Sequence, residues 1–112
     1  MRKIERKKPM KEIMYRESRI AQVLGEPSKY LIVNLIFQEG PLSVSEIAKK
    51  VNRTQPTVSH HLAKLRSLEI VRYEAKNDGF YYWIKYPKEL KMILTALNVF
   101  VQRTRKRLEH DT

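Results

Sequence analysis

Two short amphipathic segments that lie only a few residues apart constrain this chain more than any other feature of its sequence. In the first, SVSEIAKKV (43–51), Ser43 and Glu46 have the S-x-x-E spacing of a helix capping box, and the apolar residues form one stripe. The second, 54–67, has Thr54 as its N-cap. Two short helices joined by a turn of about three or four residues form a helix-turn-helix, so we expect that motif here.

Two helical patterns precede this motif. Residues 10–24 place apolar side chains near helical spacing, and residues 26–38 are apolar nearly all round, which predicts a central, buried helix. We expect the chain to divide into a basic, flexible leader at 1–11, one domain at 12–108 and a short tail at 109–112.

The periodicity changes after the second helix of the motif. Residues 70–75 and 80–86 are rich in aromatic and β-branched residues, and KNDG (76–79) lies between them, which predicts a β-hairpin. A hairpin directly after the second helix is the wing of a winged helix. Residues 87–108 then predict a long last helix. The expected fold is mainly α with a small β-hairpin, a winged helix-turn-helix.

The charge of the chain limits its partners. Lysine and arginine number 23 against 12 aspartate and glutamate, which gives a net charge of +11. Such a surplus favours polyanions, of which nucleic acid is the commonest, although a merely solvated basic surface is the alternative. The absence of cysteine excludes disulfides, Fe–S clusters and cysteine-ligated zinc. With no apolar run near ~20 residues and no secretory signal, we expect a soluble, cytoplasmic protein without a membrane partner.

The outer face of the predicted helix 54–67 carries groups that suit DNA. Val58, Leu62 and Leu65 form the stripe that we expect to be buried. Gln55 and Thr57 lie at the N-terminal end, where Gln can pair with adenine and a Thr methyl can meet that of thymine. The other donors suit phosphates, which set position rather than sequence. The candidate DNA-binding residues are Thr54, Gln55, Pro56, Thr57, Ser59, His60, His61, Lys64, Arg66, Arg72, Lys76 and Asn77.

Metal binding and catalysis are weaker interpretations of the same helix. Adjacent histidines, His60 and His61, point about 100° apart, so they cannot easily share one ion. Ser59 beside His60 is an adjacency rather than a hydrogen-bonded nucleophile and base, and no third group orients a base. We therefore expect no enzyme activity, no catalytic residue, no metal and no cofactor. For His61 a second interpretation stays open, a partly buried histidine bonded to backbone.

The sequence also resembles a known family. The segments LGEPSKYLIVNLI, LSVSEIAKKV, TQPTVSHHLAKLRSLEIV and the final YYWI are similar, in order, to ArsR-type winged-helix repressors over about residues 20–86. Gln55–Leu62 is the most specific part. The resemblance implies that 54–67 reads DNA in the major groove and that the hairpin, 70–86, grips the flanking backbone or minor groove.

The resemblance further implies a homodimer, because members of this family pair through their first and last helices. The long apolar stripe of 87–108 agrees with this, since little chain is left to cover it. The expected interface residues are Ile13, Ile20, Leu90, Ile93, Leu94, Leu97, Phe100 and Val101.

Several positions depart from the family pattern. Ser43 and Ser45 stand where its thiolate metal sensors have cysteines, and hydroxyls are poor ligands for soft metals. Lys29 replaces a usual arginine, and Glu69 replaces the glycine before the wing, where a positive φ would be strained. The effector is therefore unknown. Constitutive binding, sensing of an apolar molecule between helices and action with another protein all remain open.

The main interpretation is a sequence-specific, dimeric DNA-binding transcriptional regulator that represses by occluding a promoter. Its partners are then double-stranded DNA and a second copy of the chain. A sequence-tolerant, chromatin-like architectural protein is the alternative, and the high charge favours it. A winged helix used as a protein-interaction module is a third interpretation.

Overall fold

Five helices and three short strands make up the described part of the chain. The computed structural model describes residues 10–111, and the side chains of residues 10–105. No helix in these residues is long and apolar enough to cross a membrane. The elements are α1 (Glu12–Leu24), α2 (Pro27–Glu39), β1 (Leu42–Ser43), α3 (Val44–Val51), α4 (Gln55–Ser67), β2 (Val71–Lys76), β3 (Gly79–Ile84) and α5 (Pro87–Asp111).

The helix-turn-helix consists of α3 and α4, and side-chain caps define where each helix begins. The Ser43 hydroxyl accepts from the Glu46 N–H at 3.1 Å, and the Glu46 carboxylate accepts from the Ser43 N–H at 2.9 Å. The predicted capping box is therefore confirmed. The Thr54 hydroxyl caps α4 by accepting from the Thr57 N–H at 3.3 Å. Between them Asn52 adopts a left-handed conformation, φ 57°, which ends α3 and turns the chain.

The core lies where α2, α3 and α4 meet the base of the sheet. The predicted stripe of α4, Val58, Leu62 and Leu65, is fully buried. Helix α2 is central, as predicted, and its residues 28–37 are buried or half-buried nearly all round. Leu31 is the exception among them, with 47% of its surface exposed.

The sheet is three-stranded and antiparallel, in the order β1-β3-β2. The predicted hairpin is confirmed as β2 and β3, with Asn77 and Asp78 as its two-residue turn. The positive φ is at Gly79, 133°, where an added Cβ would meet nothing within 4 Å. Backbone conformation, rather than space, therefore requires glycine there. The edge strand β1 was not predicted, because two residues are too short to show a period.

Glu69 joins α4 to the wing and has the positive φ that is expected where the family has a glycine. Its φ is 63°, in the left-handed region that disfavours residues with a Cβ. Its carboxylate pairs with the Lys85 ammonium, which follows β3. The pair connects the two ends of the hairpin across its base.

The expected leader and tail lie at the two ends of the chain, near the start of α1 and the end of α5. Residues 1–9 of the expected leader lie outside the described residues, and α1 begins at Glu12. Helix α5 continues to Asp111, beyond the expected end at Leu108, so most of the expected tail is helical.

Replacing Asn52 tests the turn of the motif. Asn52→Ala should lower the free energy of unfolding by about 1 kcal/mol, because a Cβ without a local hydrogen-bonding group disfavours left-handed φ. Asn52→Gly should stay close to the wild type. Urea denaturation at one fixed protein concentration measures both. Asn77→Ala is the control, since its φ is not positive; equal losses for Asn52→Ala and Asn77→Ala would contradict this account.

Candidate nucleic-acid interface

Helix α4 presents a continuous polar face because its opposite face is fixed in the core. Every candidate DNA-binding residue except His61 is exposed. The fold therefore brings the candidates of α4 together on one surface and places those of β2 and its turn on the adjoining hairpin. The exposed candidates are Thr54, Gln55, Pro56, Thr57, Ser59, His60, Lys64, Arg66, Arg72, Lys76 and Asn77.

The N-terminal end of α4 is ordered by its own cap. Besides accepting from the Thr57 N–H, the Thr54 hydroxyl donates to the Thr57 hydroxyl at 2.9 Å. These two bonds restrict the rotation of both side chains. Gln55, in the first turn, is exposed and makes no such bond among the described residues. Its amide is therefore free to pair with a base edge.

His61 lies differently from the expectation that it would point outward with its neighbours. It is half-buried, and its Nδ1 is buried without a hydrogen-bond partner among the described residues. Burial lowers the pKa of His61, the charge of Lys29 lowers it further, and Glu26 acts in the opposite direction. His60 and Arg53 also lower the pKa of His61. The alternative of a partly buried histidine fits better, although the Nδ1 has no backbone partner.

Arg66 also differs from a simple phosphate donor. Its guanidinium carbon lies 4.7 Å from the centroid of the Tyr73 ring on β2. A cation over a ring in this range is attracted by the π electrons, while the N–H groups at the edge of the guanidinium can still donate. Arg66 therefore joins the C-terminal end of α4 to the wing. On β2, Lys76 lies 5.8 Å from the centroid of Tyr81.

Two cations beside this surface were not among the candidates. Arg53, in the turn before α4, is exposed, and its guanidinium donates to two preceding carbonyl oxygens at 3.3 Å. Its position next to the start of α4 could have marked Arg53 as a candidate from the sequence alone. Lys85 lines a cleft of about 250 Å³ at the base of the wing with Arg66, Arg72 and Glu69. Only the folded chain brings these residues together.

Acidic and histidine side chains do not assemble into a metal site in the part of the chain that the structure describes. No group of three or more residues of the ligating types lies close enough to hold an ion there. The serine that stands in place of a sensor cysteine, Ser43, uses its hydroxyl as the cap of α3.

Large apolar side chains are also exposed on α1 and on α5. Phe100 is 72% exposed, and Ile13, Ile93, Leu97 and Val101 are exposed as well. Exposed apolar patches of this kind mark interaction surfaces.

Three of the expected interface residues lie deeper in the fold. Ile20 and Leu94 are half-buried against the core. Leu90 needs correction, because it is 5% exposed and belongs to the chain's own core. Leu90 lies one turn before Ile93, the first exposed apolar residue of the α5 stripe, at the point where α5 packs on the rest of the domain.

Acidification should destabilise the fold through His61. Its folded pKa is held below 6.5, so the unfolded state binds more protons as the pH falls below that value. The free energy of unfolding should therefore decrease from about pH 7 towards pH 5, within the range where histidines titrate. His61→Gln should reduce this slope in urea denaturation, and His60→Gln is the matched control. Identical slopes in the wild type and His61→Gln would contradict the assignment.

The sequence matches known proteins along the same region. A family model described as "Bacterial regulatory protein, arsR family" matches residues 26–73. An uncharacterized HTH-type transcriptional regulator of Methanocaldococcus jannaschii is 31% identical over 65 residues, which span 58% of this chain and 73% of that protein.

Solved structures share the fold. The crystal structure of the transcriptional repressor PagR of Bacillus anthracis has a TM-score of 0.65 at 26% identity, covering 75% of this chain and 94% of that one. A homodimeric winged helix-turn-helix DNA-binding domain from Mycobacterium bovis has a TM-score of 0.72 at 19% identity, and the match covers 81% of this chain and 86% of that one. Fold, motif and sequence agree: the chain belongs to the ArsR family of winged helix-turn-helix transcriptional regulators.

Proposed function

We propose that this protein is a sequence-specific, dimeric DNA-binding regulator that represses transcription by occupying a promoter. We further propose that it acts in the cytoplasm. The observation that carries the proposal is the polar face of α4, exposed along its length and flanked by the hairpin. Similarity supports the sign of regulation: PagR of Bacillus anthracis and SdpR of Bacillus subtilis, 28% and 27% identical over 82 and 63 residues, are transcriptional repressors.

Base reading is assigned to the N-terminal end of α4. A helix in the major groove presents that end to base edges. Gln55 and Thr57 are exposed there, so a bidentate bond to adenine and a methyl contact to thymine are both within the chemistry of the site. Lys64 lies two turns further along α4 on the same side as Thr57, where it donates to phosphate. Arg53 adds a cation at the turn before α4.

The exposed stripe of α5 supports pairing with a second copy. Leu97, Phe100 and Val101 are large apolar side chains that solvent would otherwise surround. Covering them with the same stripe of another chain, together with Ile13 of α1, removes this surface from water. A symmetric pair then presents two α4 helices to successive major grooves, about 34 Å apart along the duplex.

The mode of control differs from thiolate sensing. The chain has no cysteine, and the hydroxyl of Ser43 is already the cap of α3. We therefore propose that DNA binding does not respond to a soft metal at the start of α3. The cadmium-resistance regulator CadC of Listeria innocua, 30% identical over 77 residues, is a relative by sequence, and the matched segment spans 65% of its length.

A fluorescence-anisotropy titration tests the proposed function. It compares the duplex upstream of the protein's own gene with a scrambled duplex of equal length and composition at fixed salt. We expect a preference of roughly 1,000-fold, in the usual range for specific binders.

Two other outcomes identify the competing functions. Equally tight binding to both duplexes, with a steep salt dependence, would favour the architectural alternative, which the net charge of +11 supports. Failure to bind either duplex at ~0.1 M salt, where electrostatic binding should survive, would favour a protein-interaction module.

Substitutions on α4 should distinguish the residues that contact base edges from those that contact phosphates. Gln55→Ala should weaken the preferred site by roughly tenfold and random DNA much less, because a bidentate base contact contributes about 1–3 kcal/mol of discrimination. Thr57→Ala should act in the same direction. Lys64→Ala should weaken both duplexes alike and reduce the slope of log K against log salt by about 1. Equal losses on both duplexes for Gln55→Ala would contradict its role as a base reader.

The dimer is tested by a charge on its apolar stripe. Leu97→Glu should shift sedimentation from dimer to monomer, because pairing would bury an unpaired carboxylate. Gln102→Glu is the matched control, since it adds the same charge about 140° around the helix axis. A wild type that sediments as a monomer, or a Leu97→Glu variant that remains a dimer, would overturn the proposed interface.

A further inference from the structure

A cavity of about 210 Å³ lies where α1, the end of α4, the base of the wing and the start of α5 meet. The buried side chains of Leu24, Ile84 and Leu90 line it, together with half-buried Leu68 and Ile70. An apolar cavity of about 150 Å³ in a protein core can hold a molecule of the size of benzene. This cavity therefore has room for one small ring or a branched alkyl group.

Two carboxylates border this apolar cavity, although the chain as a whole carries +11. Glu69 and Glu89 are both exposed, and the carboxylate of Glu69 is paired with the Lys85 ammonium. The carboxylate of Glu89 forms no ion pair with another side chain among residues 10–105. Its place in the first turn of α5 suits the helix dipole, and it leaves an unneutralised negative charge beside the cavity.

The contacts of Lys85 indicate which chemical group suits this border. Its ammonium pairs with Glu69 and lies 5.3 Å from the centroid of the Tyr86 ring. A carboxylate and the face of an aromatic ring both attract a cation. Tyr86 lines the cavity together with Glu89, so the same two kinds of group are available to a cation from outside the chain.

We propose that this cavity binds a small organic cation, in which one ring or branched alkyl group carries a single ammonium. The apolar part lies between α1 and α5, and the ammonium lies beside Glu89 and the ring of Tyr86. Burial of the apolar part supplies most of the affinity, and the carboxylate selects the cation over a neutral or anionic molecule of the same shape.

The position of the cavity connects this ligand to DNA binding. Leu68 and Ile70 join α4 to β2, and Ile93 belongs both to the cavity wall and to the exposed stripe of α5. A bound ring therefore contacts the end of α4 and the helix that we assign to the dimer. It resists closure of the cavity while the two α4 helices adjust to a duplex, so ligand and DNA should weaken each other's binding. This coupling rests on the proposed function, whereas the ligand site does not.

NMR titration of the free, full-length protein at pH 7 tests the site with four probes. Benzylamine has a ring and an ammonium, benzyl alcohol the ring alone, methylammonium the charge alone, and benzoate the ring with the opposite charge. Benzylamine should bind with a Kd of roughly 1 mM, as expected for so small a ligand, and shift the amide signals of Leu68, Ile70 and Leu90. Benzyl alcohol should bind about fivefold more weakly, since an exposed ion pair contributes little. Methylammonium and benzoate should not bind measurably.

Three variants locate the two parts of the ligand. Glu89→Gln should lower the affinity for benzylamine to that for benzyl alcohol and leave the affinity for benzyl alcohol unchanged. Glu74→Gln, an exposed carboxylate of β2 outside the cavity, is the matched control and should change neither. Leu68→Phe places a larger side chain in the cavity and should abolish the binding of both probes. If thermal unfolding shows that Leu68→Phe is not folded, Ile70→Phe replaces it.

Several results would overturn the proposed site. These are no binding of benzylamine, equal affinities of the wild type for benzylamine and benzyl alcohol, or undiminished binding in the folded, filled variant. Binding by Leu97→Glu but not by the wild type would show that a second copy covers the cavity, which would overturn the site as well.

The coupling is measured by fluorescence anisotropy with a labelled duplex that the wild type has selected from a random library. At constant ionic strength, saturating benzylamine should weaken DNA binding by roughly fivefold in the wild type and not in Leu68→Phe. Methylammonium is the control for the added salt. Unchanged DNA affinity in the wild type would overturn the coupling and leave the site and the proposed function intact. A wild type that selects no duplex would contradict the proposed function, while the titrations of the free protein would still decide the site.

Discussion

Burial of one stripe of α4 is the interaction on which the rest of the molecule depends. Val58, Leu62 and Leu65 are removed from water, and each side chain of this size contributes about 1.5–3 kcal/mol when fully buried. Because these three positions anchor the helix, its opposite face must point outward. The surface assigned to DNA is therefore a direct consequence of core packing.

The short helices around α4 depend on caps rather than on length. Helix α3 has 8 residues, too few to be stable alone, and the reciprocal Ser43–Glu46 bonds satisfy backbone groups at its start. Asn52 then reverses the chain in a left-handed conformation, and Thr54 starts α4. Arg66 and the Glu69–Lys85 pair extend this order to the wing. Helix α4 and the hairpin are thus held as one unit.

The sequence predicted most of the fold because helical and strand periods and cap spacings are local. It placed the capping box, the Thr54 cap, the hairpin and the buried stripe of α4 correctly. It misplaced what depends on depth and on distant neighbours. A helical wheel gives the direction of His61 and Leu90 but not how far α2 or the domain covers them. The Arg66–Tyr73 contact joins two elements, so neither segment alone indicates it.

Selection from a random duplex library by the wild-type protein, followed by sequencing, tests the central claim most directly. Two α4 helices presented by a symmetric dimer should enrich one inverted repeat, with half-site centres about 10 base pairs apart. Enrichment of a single half-site would contradict the dimer, and a library that stays random through successive rounds would contradict sequence-specific recognition altogether.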